Sequence, residues 1–199
     1  MSREITVALA GNPNVGKSSV FNALTGLRQH TGNWAGKTVA CAEGYAECGG
    51  MRVRLVDLPG CRAYAASRAE ERVAAEFLAR GGADAVIVVC DAGSLERGVA
   101  LTLEALEQTP RVVVALNLVD EAERRGIFVS AEALSQELGV PVVRTQARDG
   151  RGVENLLPAV LEVLDRRGKP PALRAASDAA ALSARAEALS AAVTRREHT

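Results

Sequence analysis

The chain has 199 residues, with Lys+Arg 24 balancing Asp+Glu 24, so no net field draws it toward nucleic acid or an anionic membrane surface. Hydrophobic residues make up 48% and aromatics only 3%, so a core of about one domain must be built from Val, Leu, Ala and Ile. No apolar run approaches the roughly 18 residues of a membrane span, which leads us to expect a soluble chain.

In chain order, "EITVALA" (4–10) reads as a buried strand, followed by a helix over 17–26. The polar stretch "QHTGNWAGKT" (29–38) holds the one Trp and is expected to be a mobile loop. "KTVACAEGYAE" and "MRVRLVDL" alternate apolar and polar residues around Gly49-Gly50, which predicts a hairpin. Helical patterns lie at 68–80, 94–108, 130–138 and 152–166. Between them, "ADAVIVVCD" (83–91) and "RVVVALN" (111–117) are the near-continuous β-branched runs of central parallel strands, and "VPVVRT" (140–145) is a last short strand. Such alternation implies right-handed crossovers and a sheet covered by helices on both faces. "RGKPPALR" breaks the pattern after Arg166, and the Ala-rich 172–196 forms one helix or two. The expected division is an α/β domain over 1–166, then a linker and partial helical domain over 167–199. Of Cys41, Cys48, Cys61 and Cys90, none forms a C-x-x-C pair. Free thiols in a reducing cytoplasm are expected, with Cys41 facing Cys48 across the hairpin as the alternative.

"GNPNVGKS" (11–18) is a complete G-x-x-x-x-G-K-[ST] between a strand and a helix. Asn12, Pro13, Asn14, Val15, Gly16, Lys17, Ser18 and Ser19 are therefore the phosphate-binding set, with backbone N–H groups and a helix dipole converging on the anion. Lys17 would reach the β- and γ-phosphates and Ser18 would ligate Mg²⁺. Asp57, opening the D-x-x-G of residues 57–60, would hold Mg²⁺ through water, and the Gly60 amide would sense the γ-phosphate. Thr38 is the candidate switch threonine, its hydroxyl on Mg²⁺ and its amide on the same phosphate. After Gly60 stands Cys61, where Ras-like enzymes place a water-orienting glutamine, so any hydrolysis must rest on other groups.

"ALNLVD" (115–120) fits Asn-x-x-Asp with Asn117 and Asp120. A carboxylate at 120 accepts from both N1–H and the 2-amino group of guanine, and adenine would leave it unpaired. Leu118 replaces the usual lysine and would cover the ring by apolar contact. "TQARDG" (145–150) places Ala147 and Arg148 where guanine-binding proteins carry Ser-Ala-Lys or Ser-Ala-Arg, with the alanine amide meeting guanine O6 and Gln146 in place of the serine. His30 and His198 read as solvated. Trp34 reads equally as a loop anchor or a partner contact.

Together "GNPNVGKSSVFNALTG", "TGNWAGKTV", "LVDLPG", "DAGSLERGVALTLEAL", "VVALNLVDEAERRGI" and "LGVPVVRTQARDGRGVENL" resemble the N-terminal G domain of the FeoB ferrous-iron transport family, over roughly residues 3–165. Departures are Leu118 for the family's usual Met, Gln146 for Ser, and Cys61 where Thr is common. The resemblance implies a Ras-like P-loop GTPase fold with a mostly parallel sheet, followed by a short helical tail. It implies slow GTP hydrolysis, with GDP as product, that regulates or drives ferrous-iron uptake through a membrane domain of the same parent protein. That places the chain on the cytoplasmic side of the bacterial inner membrane, as an excised piece of a membrane protein. Asn14 matches a family asparagine that helps bind K⁺ beside the β/γ-phosphates. Backbone carbonyls near Asn33 and Trp34 would complete the ion's shell, and Gly36 and Thr38 lie in the same nucleotide-contacting segment. On this reading Asn14, Lys17, Thr38 and Gly60 are catalytic, with Mg²⁺ and K⁺ as cofactors. The bland alternative for Asn14 is a loop residue bonding its own backbone. A homo-oligomer is compatible with the resemblance and a nucleic-acid partner is not expected. The rivals are a nucleotide-sensing module with negligible turnover, an RNA-associated GTPase, which would want a basic face, and a relaxed NTPase accepting ATP.

Overall fold

The computed structural model describes residues 3–26, 29–33, 40–58, 77, 80–167 and 179–197, with the backbone alone for 29–33 and 40. In chain order the elements are β1 (Glu4–Gly11), α1 (Lys17–Thr25), β2 (Gln29–Asn33), β3 (Ala40–Cys48), β4 (Met51–Asp57), β5 (Ala85–Asp91), α2 (Leu95–Gln108), β6 (Val112–Asn117), α3 (Val119–Arg124), β7 (Ile127–Val129), α4 (Ala131–Leu138), β8 (Val142–Arg144), α5 (Leu156–Val163), α6 (Ala179–Val193) and β9 (Thr194–Arg196). Seven strands form one sheet in the order β2-β3-β4-β1-β5-β6-β8. β4, β1, β5, β6 and β8 run parallel, and β2 and β3 add antiparallel at one edge.

The period-2 side-chain alternation of strands divides the core into two layers. Ile5, Val7, Leu9, Ile87, Val89, Val113 and Ala115 point to one face, where Val20 and Phe21 of α1 and Leu156, Val160 and Val163 of α5 cover them. Ala8, Ala10, Val86, Val88, Val112, Val114 and Leu116 point to the other, under Val99, Leu103 and Leu106 of α2 and Leu134 and Leu138 of α4. Both faces of the central strands are buried, which is why their sequences are apolar without interruption. Gly49 and Gly50 adopt φ 57° and 75°, the left-handed pair that a two-residue hairpin turn requires, and Cys48 pairs with Met51 across it.

Register fixes what the sheet presents at its carboxyl edge. Leu9 lies beside Asp57, Gly11 beside Val89, and Asp91 beside Asn117. The phosphate-loop motif, Asp57 and Asn117 therefore leave the sheet at one edge, where open α/β sheets bind ligands.

The structure departs from some of the sequence-based expectations and decides between others. Residues 29–33 are not loop but edge strand β2, with Gln29 paired to Gly44 and Asn33 to Ala40. The backbone of β3 would otherwise stand unpaired at the edge, and main-chain pairing does not need apolar side chains. Cys41 and Cys48 both lie on β3, so the alternative in which they face each other across the hairpin fails, and, as expected, neither they nor Cys90 form a disulfide. The helix expected over 152–166 is shorter, Leu156–Val163, and is preceded by a single 3₁₀ turn at Val153–Asn155. The tail contributes one described helix, α6, whose Leu182, Ala186, Leu189 and Val193 are buried in the α2/α4 layer. β9 then pairs antiparallel with β7, Val129 opposite Thr194 and Ile127 opposite Arg196. α3, β7 and β9 have no counterpart in the sequence reading. Each is too short, at three to six residues, for a periodic pattern to register. The expected helix at 68–80 lies outside the described residues apart from Phe77 and Arg80.

Candidate functional site

The phosphate loop leaves β1 at Gly11 and enters α1 at Lys17. Asn14 and Gly16 both take positive φ, 65° and 85°, which turns the chain tightly between the two elements. At Gly16 glycine is needed twice over: the φ favours it, and a Cβ there would run into Asn117 Nδ2. α1 has no side-chain N-cap and no acidic residue in its first turn, so its leading N–H groups and dipole are left for an anion. Asn12 and Val15 are buried, Gly16, Lys17 and Ser19 partly so, and Pro13, Asn14 and Ser18 are exposed.

Lys17 turns back across the loop. Its Nζ donates to the Leu58 carbonyl at 2.6 Å and lies 2.5 Å from Asp57 Oδ1. The side chains are only 14% and 24% exposed, so this is a sheltered pair. Asp57 Oδ1 is buried and has no hydrogen-bond partner beyond this ion pair. A buried carboxylate oxygen lacking a hydrogen bond, with the exposed Ser18 hydroxyl at the start of α1, suits the hard oxygen preference of Mg²⁺.

Asn117 ends β6 as a junction between loops. It is 1% exposed. Its Nδ2 donates to the Val15 carbonyl at 3.0 Å, binding the phosphate loop. Its Oδ1 accepts from Thr145 Oγ1 at 3.0 Å and from the Ala147 amide at 3.1 Å, binding the turn after β8. The Ala147 amide is thus engaged, and guanine O6 would share that bond or take the adjacent Arg148 amide. Gln146 uses its backbone: its N–H donates to the Arg151 carbonyl at 2.9 Å, and its carbonyl accepts from Asp149 at 3.0 Å and Arg151 at 3.2 Å. The loop therefore closes without a serine at 146, and Thr145 supplies the hydroxyl that Asn117 accepts. Thr145 and Val15's carbonyl carry roles that the motif reading missed; a hydroxyl two residues before the alanine was the available signal.

Leu118 sits at φ 60°, ψ 29°, the left-handed region, as the residue before α3. For a non-glycine residue this costs about 1 kcal/mol, a strain that clusters at functional sites. It aims the first turn of α3, and with it Asp120. Asp120 Oδ2 accepts from Arg124 Nη2 at 2.7 Å, and its backbone carbonyl accepts from Arg124 Nε at 3.2 Å. Its side chain remains 37% exposed.

Asn33 lies on β2, three strand positions from β1, on the order of 14 Å at the usual strand spacing. Trp34, Gly36, Thr38, Gly60 and Cys61 lie outside the described residues. Cys90 is fully buried against Thr102 and Gly98 beneath α2, and burial pushes its thiol up to about 12; it has no part in the site.

Comparison with known proteins bears on the fold and the family. The family model described as ferrous iron transport protein B matches residues 5–160. The chain belongs to that family. The Fe(2+) transporter FeoB of Escherichia coli (strain K12) is 43% identical over 162 residues, 79% of this chain and 21% of the relative. The FeoB of Salmonella typhimurium (strain LT2) is equally similar over the same shares. This chain thus spans about a fifth of the length of the curated relatives it matches. Among solved structures, the G domain of the T. maritima FeoB is 40% identical with a TM-score of 0.73, over 81% of this chain and 99% of that one. The cytosolic domain of the same protein in a GMPPNP form is 28% identical with a TM-score of 0.81, over 96% and 99%. The fold is the Ras-like P-loop GTPase fold of FeoB G domains. Among the described residues no helix is long and apolar enough to cross a membrane.

Proposed function

We propose that this chain binds GTP and GDP with Mg²⁺ and hydrolyses GTP slowly, as the nucleotide-responsive part of a bacterial ferrous-iron transporter. The observation that carries the reading is the Asn117 junction. One buried side chain ties the phosphate loop to the turn after β8, and three residues on, Asp120 presents a carboxylate that remains accessible. Those two anchors support a site holding phosphates at one end and a 2-amino-6-oxopurine at the other. The solved FeoB cytosolic domains in GDP and GMPPNP forms support the same ligand class.

Within that site Lys17 would exchange Asp57 and Leu58 for the β- and γ-phosphates. Asp57 and Ser18 would then face Mg²⁺, which neutralises charge developing on the phosphates. Asp120 would accept from N1–H and the 2-amino group, and Ala147 or Arg148 would donate to O6. K⁺, with Asn14 as its side-chain ligand, would add charge near the bridging oxygen in place of the missing glutamine. Ferrous iron is the cargo of the parent transporter, and its membrane domain is the partner we assign. Calorimetry with GDP, the GTP analogue GMPPNP and ADP in Mg²⁺ tests the reading. Tight binding of both guanine nucleotides is expected, with ADP weaker by at least about 10². Equal affinity for ADP would overturn it.

A further inference from the structure

The two elements assigned to the base approach it from different supports. Asp120 rides on α3, a helix of six residues anchored in the core by Val119 and Ala122. Ala147 rides on the turn after β8, anchored through Thr145 and Asn117. The Asn117 junction fixes the second relative to the phosphate loop, but it makes no side-chain bond to α3. An ion pair does join them: Arg144 Nη2 of β8 donates to Glu123 Oε1 of α3, with both side chains roughly half-exposed. One residue further on, Arg124 holds Asp120 Oδ2. A carboxylate has about four lone-pair sites, so Oδ2 can keep Arg124 and still accept from a base.

We propose that Glu123–Arg144 is a positioning brace that sets the spacing between the Asp120 carboxylate and the Ala147 turn, and that with Arg124 it contributes to the selection of guanine by its 2-amino group. The inference rests on the base assignment made above. Its direction follows from geometry. Two hydrogen bonds from one edge of a base to one carboxylate tolerate little displacement, and α3 buries only Val119 and Ala122, so its exposed face is where an ion pair to β8 can set its placement. Neither Glu123 nor Arg144 touches nucleotide in this scheme; both act through the placement of Asp120.

Affinities for GDP and IDP provide the test, because inosine keeps N1–H and O6 but lacks the 2-amino group. Exposed ion pairs are worth a few tenths to about 1 kcal/mol, so Glu123→Gln and Arg144→Gln should each shrink the GDP/IDP affinity ratio about two- to five-fold. The charge-swapped double variant Glu123→Arg with Arg144→Glu should restore it. Thermal unfolding of each variant confirms that the fold persists. A ratio that stays at the wild-type value, or a loss shared equally by GDP and IDP, overturns the brace. Wild type and Asp120→Asn measured in parallel keep the two failures apart. If wild type does not prefer GDP to IDP, or Asp120→Asn leaves that preference intact, the base assignment itself fails and takes the brace with it.

Discussion

Lys17 Nζ stands 2.5 Å from Asp57 Oδ1, so the ammonium assigned to the phosphates and the carboxylate assigned to Mg²⁺ form one sheltered ion pair. The pairing resolves what would otherwise be two opposite charges in a sheltered pocket. On the proposed reading nucleotide and metal binding are coupled: phosphate would take the lysine, and the freed carboxylate would favour a cation.

Lys17→Ala is therefore expected to fold but to lose guanine-nucleotide affinity by at least about tenfold, the scale of a charge-assisted hydrogen bond. Asp57→Asn should flatten the Mg²⁺ dependence of GDP binding and lose little affinity in its absence. Titration of both variants with and without Mg²⁺ checks this. An Asp57→Asn protein that retains the wild-type Mg²⁺ response would remove Asp57 from the metal site.

Asp120→Asn should weaken GTP and GDP and favour xanthosine nucleotides, whose 2-oxo group accepts where guanine donates. The asparagine amide supplies the donor that the carboxylate lacks. Competition between the two nucleotides reads out the exchange. Unchanged GTP affinity would take Asp120 out of the base site.

Asn117→Ala should be more damaging than its single position suggests. It leaves the Val15 carbonyl, the Thr145 hydroxyl and the Ala147 amide without their partner, at about 1–3 kcal/mol for each group that stays dry. GDP affinity should fall at least about 10²-fold, with a lowered melting temperature. Gly16→Ala should disturb the same junction from the other side, because its Cβ and Asn117 Nδ2 compete for one space. Retention of near-wild-type GDP affinity in both variants would show that the junction is not needed.

Much of this was legible from residues because the strongest signals are local. The β-branched runs at 83–91 and 111–117 could only be central strands, and "GNPNVGKS" has meaning only between a strand and a helix. Contacts that depend on tertiary placement were not legible. The position of Thr145, two residues before Ala147, offers a hydroxyl but does not announce that it reaches Asn117, 28 residues earlier. Nor does "TRR" at 194–196 announce a strand, since its pairing with Ile127–Val129 is set by where α6 packs. The edge strand at 29–33 was hidden because its residues are those of a loop, and only the open edge of β3 makes them a strand.

Cys90 gives a prediction that is independent of nucleotide. Its thiol is raised from an ordinary 9.0 to about 12 by burial. The folded state keeps its proton while the unfolded state loses it above pH 9, so this contribution is intact below pH 9 and declines as pH rises toward 12. Each unit in that window removes about 1.4 kcal/mol. Urea unfolding at pH 8 and pH 10 should show a steeper loss for wild type than for Cys90→Ala, and native Cys90 should resist alkylation at pH 8. Matching pH slopes for the two proteins would mean that the thiol ionises freely in the fold.

Steady-state phosphate release from GTP and ATP, in KCl and NaCl at equal ionic strength, tests the central claim most directly. Equal charge and ionic strength leave only a shaped site to separate the two cations. The account predicts slow turnover of GTP, faster in KCl, with ATP near background. Asn14→Ala should lose most of the K⁺ stimulation, on the scale of the ~10²–10³ that one transition-state group supplies, and Cys61→Ala should change little. Turnover of ATP at the rate of GTP, a rate indifferent to the cation, or a collapse on Cys61→Ala would contradict it.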